Sequence, residues 1–549
     1  MEELDKGKNN ISYLDQKAGA GAYVRKRPRQ DSDKFLITAD MIPPDVYGGG
    51  RYEEAIETPN LDRLKKDGVT FSRACTVSPL CGPSRASMFT GRSPYLLVNE
   101  ERAHDGMEYE LRLEDEIFQQ YLAREDHLVR HVGKCHVGAD KFVQVFGENS
   151  SPWHRWAPPI YDDDQYLDYL REMGIDEFEF SKRIQGLKPD RKTEGNFYGG
   201  WLQKKGGGRF PLEGTYPFFL ARKAMETVDV LLNKRGDEEK VYLQLDFFAP
   251  HQPFFVPQWY AQRRSSQLEG EIEPPTSYRE LKEEGFSSPK GEPLIYDTYR
   301  KNWGLYETET VEDYIRTNLL QIEIVDRALG LFLDHLDKRG IYRDSVIAFC
   351  GDHGEMNGEK GLIDKGVFGH PKTVKVPFYW KRPADKDGGL TIEEPISLMD
   401  LAPTFLEMAG IEPARRLDGE SLLPFMEKGS AEDHDPFLFE ACWHVAPNPA
   451  VSLVSRLSDG DYYLYTYNLT AKEDEFYLFP ADNGDGEHKN LLGEGGRQAE
   501  ALSKEALFSL KEILEGDSRW RCYWDPFRLQ HPEIVSSEEG DAQMFIPED

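Results

Sequence analysis

The sequence predicts an α/β fold: a doubly wound, mostly parallel sheet flanked by helices, followed by a smaller C-terminal α+β domain containing an antiparallel sheet. Three observations predict it. Short apolar, β-rich runs end in polar residues, as in "KFLITADM", "HLVRHVGKCHVG", "KVYLQLDFFAPH" and "SVIAFCGDHGE", the form of parallel strands buried on both faces. Helical patterns lie between them, for example "RTNLLQIEIVDRALGLFLDHLDKRG", whose apolar spacing of three and four stops at Lys338, Arg339 and Gly340. After "PISLMDLAPTFLEMAG" the character changes to hairpin signals, "VSLVSRLSDGDYYLYTYNL" and then "DEFYLF", with Asp459 and Gly460 at the turn.

Taken in chain order, residues 1–32 are polar and read as a loosely attached arm, residues 33–430 as the main α/β domain and 431–549 as the smaller domain. Two stretches, near 145–215 and 252–305, lose the strand-helix alternation to Trp, Pro, Gly and charge and read as long insertions over the site. Ligands of doubly wound sheets collect at the C-terminal ends of the strands. The polar strand tips are therefore expected to share one site.

Composition narrows the class. With 67 Lys and Arg against 98 Asp and Glu, the net charge of -31 repels nucleic acid and anionic lipid over most of the surface, so an anionic substrate requires a local basic cluster. The six cysteines (Cys75, Cys81, Cys135, Cys350, Cys442, Cys522) show neither CxxC nor a repeated spacing, which argues for reduced thiols over a disulfide framework or zinc ribbon. The first thirty residues lack the apolar core of a secretory signal; if Met1 is the native start, a cytoplasmic location is expected.

The most specific stretch is "SPLCGPSRASMFTGR", Ser78 to Arg92. A packed cysteine needs only burial, whereas a reactive one wants a partly exposed, electropositive seat at a helix N-terminus. Cys81 before "SRASMFTGR", a helix closed by Gly91, fits the second description. Arg85, one turn on, is expected to point back and grip two oxygens of a tetrahedral oxyanion. Lys134 and His136 in "VGKCHVG" lie two apart, on one face if the segment is extended. His251 stands in "APHQPF" at a strand end, Asp352 and His353 in the glycine-flanked "GDHGE", which suits a metal better than a core, and Lys365 in "LIDKG".

Together these elements resemble the sulfatase family of the alkaline phosphatase superfamily. Its signature C-x-P-S-R-x-x-x-[LF]-T-G-R is met by Cys81, Pro83, Ser84, Arg85, Phe89, Thr90, Gly91 and Arg92, and its G-K-x-H-x-G by Gly133, Lys134, His136 and Gly138. "ETPNLDRLKKDGVTFSRAC", "SLMDLAPTFLEMAGI" and "DEFYLFPADNGDGEHKNLL" resemble further landmarks, so the likeness runs from about Lys34 to Leu492 with the insertions unmatched.

The resemblance implies a sulfuric ester hydrolase. Cys81 would be converted by a formylglycine-generating maturation enzyme to an aldehyde whose hydrate is the nucleophile. Asp40, Asp352, His353 and residue 81 would hold one divalent cation, calcium by preference and manganese as the alternative. Arg85 and Lys134 would hold the hydrate, His136 would drive elimination, and His251 and Lys365 would bind sulfate and assist the leaving oxygen. The substrate would be a small-molecule or carbohydrate sulfate ester.

One position departs from the pattern: Met41 follows Asp40 where many sulfatases have a second aspartate, and a thioether is a poor partner for a hard cation. Related phosphonate monoester and phosphodiester hydrolases carry the single aspartate too and form the alternative within the enzyme class. A catalytically silent sulfatase-like binding protein is the alternative outside it. Trp153, His154, Trp156, the Asp162-Asp163-Asp164 run, Trp443 and His444 could line a sugar or aryl pocket or simply pack loops.

Overall fold

The computed structural model describes residues 32–536 apart from 94–110, 148–162, 269, 271, 290, 386–387, 429–433, 441–443, 470–472, 481–482, 484–488 and 495–496. Trp153, His154, Trp156, Asp162, Trp443 and Cys442 therefore lie outside the described residues.

The four apolar runs form adjacent parallel strands: Val346–Gly351, Lys34–Asp40, Lys240–Pro250 and His127–Gly133, in that spatial order. Three short strands extend the sheet beyond Val346–Gly351: Phe378–Lys381, antiparallel to both neighbours, then Val69–Phe71 and Leu390–Ile392. Successive strand side chains point to opposite faces, so the four parallel strands feed two cores. Phe35, Ile37, Leu243, Leu245, Ile347 and Phe349 enter the core beneath the helices Tyr216–Lys234 and Thr308–Lys338. Leu36, Tyr242, Ala348 and Cys350 enter the opposite one, under Cys81–Thr90, Phe118–Arg124 and Leu401–Met408. Two apolar faces, each covered by helices, explain why these strands read as continuous apolar runs.

Phe437–Glu440, Ala450–Arg456, Tyr462–Asn468 and Glu475–Leu478 form a four-stranded antiparallel sheet. Gly460 turns the central hairpin at φ 102°, where a side chain would be strained. One face packs on the C-terminal helices through Val451, Leu453, Tyr463 and Tyr465. The other, through Phe437, Phe439, Val454 and Leu464, packs on Cys75, Val77 and Val374 of the main layer.

The two segments expected to be without regular pattern are built of elements. Phe178–Leu187 and Glu194–Lys204 pair antiparallel, and Phe254–Pro257 joins the second strand in parallel, making a three-stranded sheet that draws on both segments. Helices Asp164–Glu172, Gln258–Gln267, Thr276–Glu283 and Leu294–Trp303 complete them. Three register shifts in the hairpin break the period-two alternation that would have revealed it. Among the described residues no helix is long and apolar enough to cross a membrane.

Candidate active site

Four strand tips and one helix start converge. Asp40 ends the central strand, and the register with Lys240–Pro250 shifts between Ala39 and Asp40, a local irregularity of the kind that re-aims a side chain at a strand end. Cys81 is the first residue of its helix, which Gly91 closes in the left-handed conformation while donating its N–H to Ser87 O at 2.8 Å. Asp352 and His353 follow the strand Val346–Gly351 directly. One ligand atom from each of Asp40, Cys81, Asp352 and His353 lies within 4.8 Å of all the others, and all four residues are buried.

Cys81 is only 3% exposed, so the partly open thiol seat expected from the sequence is a closed one. The electropositive character is there all the same. Burial pushes the thiol up, but Lys134, Lys365, His353 and His136 outweigh it and hold it well below its usual range. Its sulfur lies 3.2 Å from His353 Nε2.

The same four residues suit a cation. His353 donates Nδ1–H to Gly354 O at 2.9 Å, which turns Nε2 into the cluster, 3.4 Å from Asp40 Oδ1. Asp40 Oδ1 is buried without a hydrogen bond of ordinary geometry. Burial and the neighbouring Asp40 carboxylate push Asp352 up. Burial lowers His353, but Asp352 and the Cys81 sulfur outweigh it and raise it to about 10. A proton is thus held among carboxylates where a divalent ion would do the same work. Met41 contributes backbone only: at φ 66° its N–H donates to Asp352 Oδ1 at 3.1 Å.

Arg85 differs from expectation. It is fully buried, and its fork is spent on the protein: Nε donates to Asp352 Oδ2 at 2.8 Å, one Nη to Lys134 O at 3.1 Å and the other to Thr38 Oγ1 at 3.2 Å, with Asp246 Oδ1 3.5 Å away. It orients a candidate metal ligand instead of gripping an oxyanion. Lys134 Nζ pairs with Asp40 Oδ2. His136 does not share a strand face with Lys134, because the strand stops at Gly133 and His136 itself is left-handed, at φ 57°. That turn brings its ring to the Cys81 sulfur, and burial lowers its pKa against the opposing sulfur.

Nearby, Lys365 Nζ donates to His251 Nε2 at 2.6 Å, and His251 Nδ1 donates to Gln252 O at 2.5 Å. Burial lowers Lys365, but Asp364, Cys81, Asp40 and Asp352 outweigh it and hold the ammonium charged.

All nine candidate residues thus meet in one cluster, together with several the sequence reading passed over. Asp246 sits behind Arg85 and also accepts from Thr38, Gln244 and His131; an acid inside "LQLDFF", an otherwise apolar strand, was its available signal. His444, which the sequence left between pocket and packing, lies by Asp364 and Lys365 with Nδ1 3.3 Å from Tyr299 Oη. Asp163 is a helix cap, accepting from Gln165 N and Tyr166 N.

A sulfatase family model matches residues 44–411, more than half of the chain. The chain belongs to the sulfatase family. With that family it belongs to the alkaline phosphatase superfamily and is an enzyme of the sulfatase type. A second model, N-sulphoglucosamine sulphohydrolase, C-terminal, matches 358–513. A sulfatase from Formosa agariphila is 27% identical over 68% of each chain. The multifunctional alkaline phosphatase superfamily protein PehA of Trinickia caryophylli is 25% identical over 80% of this chain and 84% of its own. The choline-sulfatase of Rhizobium meliloti is 27% identical over 76% of each. The sulfatase-family fold is shared with the phosphonate monoester hydrolase from Silicibacter pomeroyi, at TM-score 0.60 and 19% identity over 87% of this chain and 94% of that one.

Proposed function

We propose that this sulfatase-family enzyme hydrolyses a sulfate monoester, with residue 81 matured from cysteine to formylglycine and one divalent cation held by Asp40, Asp352, His353 and residue 81. The observation that supports it best is the convergence of the signature cysteine with two carboxylates and an imidazole, with Lys134 and the Lys365–His251 pair beside them.

When bound, the cation would supply Lewis-acid polarisation and charge neutralisation, and the hydrated aldehyde a hydroxyl directed at sulfur and a second whose deprotonation expels sulfate. The remaining work falls to the chain. Lys134 balances Asp40, Arg85 fixes Asp352, and both keep the ligand cage in place without a change of geometry during reaction. His136, with its pKa lowered, is neutral near pH 7 and able to accept a proton beside residue 81. Lys365 offsets charge on the departing alkoxide, and His251 is poised beside it.

Calcium is the preferred ion because the carboxylates are hard oxygen donors; manganese is the alternative because imidazole joins them and Met41 removes one carboxylate. Relatives named choline-sulfatase and N-acetylglucosamine-6-O-sulfatase support a small-molecule or carbohydrate sulfate ester as substrate. A phosphonate monoester or phosphodiester hydrolase is the second reading, favoured by Met41 and by the single aspartate at the first strand tip.

The test is turnover of sulfate, phosphate and phosphonate esters by protein expressed with a maturation enzyme, with calcium or manganese added. Sulfate monoesters as the preferred substrates are expected. A larger kcat/KM for phosphonate or phosphodiester substrates would decide for the second reading, and no turnover by fully converted protein would leave the silent binding protein.

A further inference from the structure

We propose that Asp364 is a positioning residue at the leaving-group end of the site, its carboxylate closing a four-residue hydrogen-bonded ring that aims Lys365 at the departing oxygen. This rests on the sulfate-ester reading above. The ring runs from Lys365 Nζ to His251 Nε2 (2.6 Å), from His251 Nδ1 to Gln252 O (2.5 Å), from Gln252 Nε2 to Asp364 Oδ2 (2.8 Å), and closes from Lys365 Nζ to Asp364 Oδ1 (3.3 Å). Each member is at least nine-tenths buried, so water competes poorly for these bonds.

The backbone is bent to make the ring. Asp364 stands at φ 62°, a left-handed conformation that a side chain adopts only at some cost. Its own N–H donates to Glu355 Oε1 at 2.5 Å, and Lys365 N donates back to Asp364 Oδ1 at 2.8 Å. The same carboxylate oxygen therefore holds both the backbone and the ammonium of the next residue. Burial pushes Asp364 up, but the Lys365 ammonium beside it outweighs that and keeps the carboxylate ionised.

The chemistry follows from the donor count. A lysine ammonium has three N–H donors on a long, flexible stem. Asp364 and His251 take up two of them, which fixes the direction of the third. Charge on a departing oxygen grows with its basicity, so an aimed ammonium matters most for poor leaving groups. Asp364 touches no substrate in this account and acts through Lys365.

The test compares wild type, Asp364→Asn, Asp364→Gly, Lys365→Ala and Asp364→Asn/Lys365→Ala on 4-nitrophenyl sulfate and an alkyl sulfate. Asn and Gly both accept a left-handed backbone, so neither substitution at 364 strains φ, and Asn keeps an oxygen to accept from Lys365 N. Asp364→Asn is expected to lose about tenfold or more additional kcat/KM on the alkyl ester than on the nitrophenyl ester. In the Lys365→Ala background it should cost less than about threefold, because its partner is gone. Equal losses on both esters, or full additivity in the double variant, would overturn the proposal. If wild type turns over neither ester, that failure belongs to the functional reading. The ring is then judged by the acylation rate of Lys365, read by peptide mass spectrometry at fixed pH. Asp364→Asn should label about tenfold faster as the ammonium loses its anion, and an equal rate overturns the ring.

Discussion

Arg85 Nε lies 2.8 Å from Asp352 Oδ2, joining the second turn of the signature helix to a strand tip 267 positions further along the chain. Both side chains are fully buried. The pair ties the position of residue 81 to that of a candidate cation ligand, because Cys81 and Arg85 share one rigid helix. Asp246 balances the remaining guanidinium charge.

Removing the arginine should therefore cost stability as well as activity. Arg85→Ala takes the guanidinium away from two buried carboxylates, Asp352 and Asp246, and breaking a buried pair in this way typically destabilises by about 3–5 kcal/mol. Chemical denaturation would measure it. A denaturation midpoint equal to wild type would show that the guanidinium is not the partner holding these acids.

Asp352→Ala is expected to abolish both metal retention and turnover, since it removes an anionic ligand and the group that orients Arg85. Elemental analysis of purified variant and wild type reads the first, and unchanged stoichiometry would remove Asp352 from the cation site. Met41→Asp adds a carboxylate beside Asp40 and should tighten calcium by about tenfold or more.

The burial of Cys81, 3% exposed at the start of a fully buried helix, has a consequence for maturation. Peptide mass spectrometry should find sulfur lost and a carbonyl gained at residue 81 when the maturation enzyme is co-expressed. The already folded cysteine form, given the same enzyme afterwards, should stay unconverted, because the segment cannot reach another active site without unfolding. Unmodified thiol in fully active protein would end the formylglycine reading.

His251→Ala should slow an alkyl or sugar sulfate far more than a nitrophenyl sulfate, by about a hundredfold or more on the poor leaving group. His251 Nε2 lies 2.6 Å from Lys365 Nζ, so the effect passes through that lysine. Equal losses across leaving groups of widely different basicity would leave His251 as a sulfate binder at most.

A stability-pH prediction comes from His434, away from the cation cluster. Burial lowers this histidine, but Asp400, whose Oδ2 lies 2.9 Å from Nε2, outweighs it with help from Glu420 and holds it at about 9. A histidine raised above its unfolded value near 6.5 contributes stability that is complete below about pH 6.5 and is lost as pH rises through 9. The loss should amount to roughly 3 kcal/mol at most. Unfolding free energies measured from pH 6 to 9.5 should fall in wild type and stay flatter in His434→Gln; parallel curves would contradict the assignment.

The α/β class, the four parallel strands and the residues at their tips were legible in the sequence because each depends on local pattern. An apolar run such as "FLITA" has both faces covered wherever it sits in the sheet, and the Cys81 helix shows its own start and its own Gly91 stop. The hairpin Phe178–Leu187 and Glu194–Lys204 was not legible, since register shifts scramble its alternation.

Local pattern alone identifies which residue types could do chemistry and puts them at the ends of buried strands. What each one faces depends on segments brought together from far along the chain. Arg85 turns to Asp352 and Asp246 instead of outward, Asp364 reaches both Lys365 and Gln252, and His444 arrives beside them from between two strands of the antiparallel sheet. The reason is physical. A side chain's type and local geometry are set within a few residues, but a buried charge is stable only against counter-charges and hydrogen bonds from other segments, and which segments those are is fixed by sheet order and helix packing.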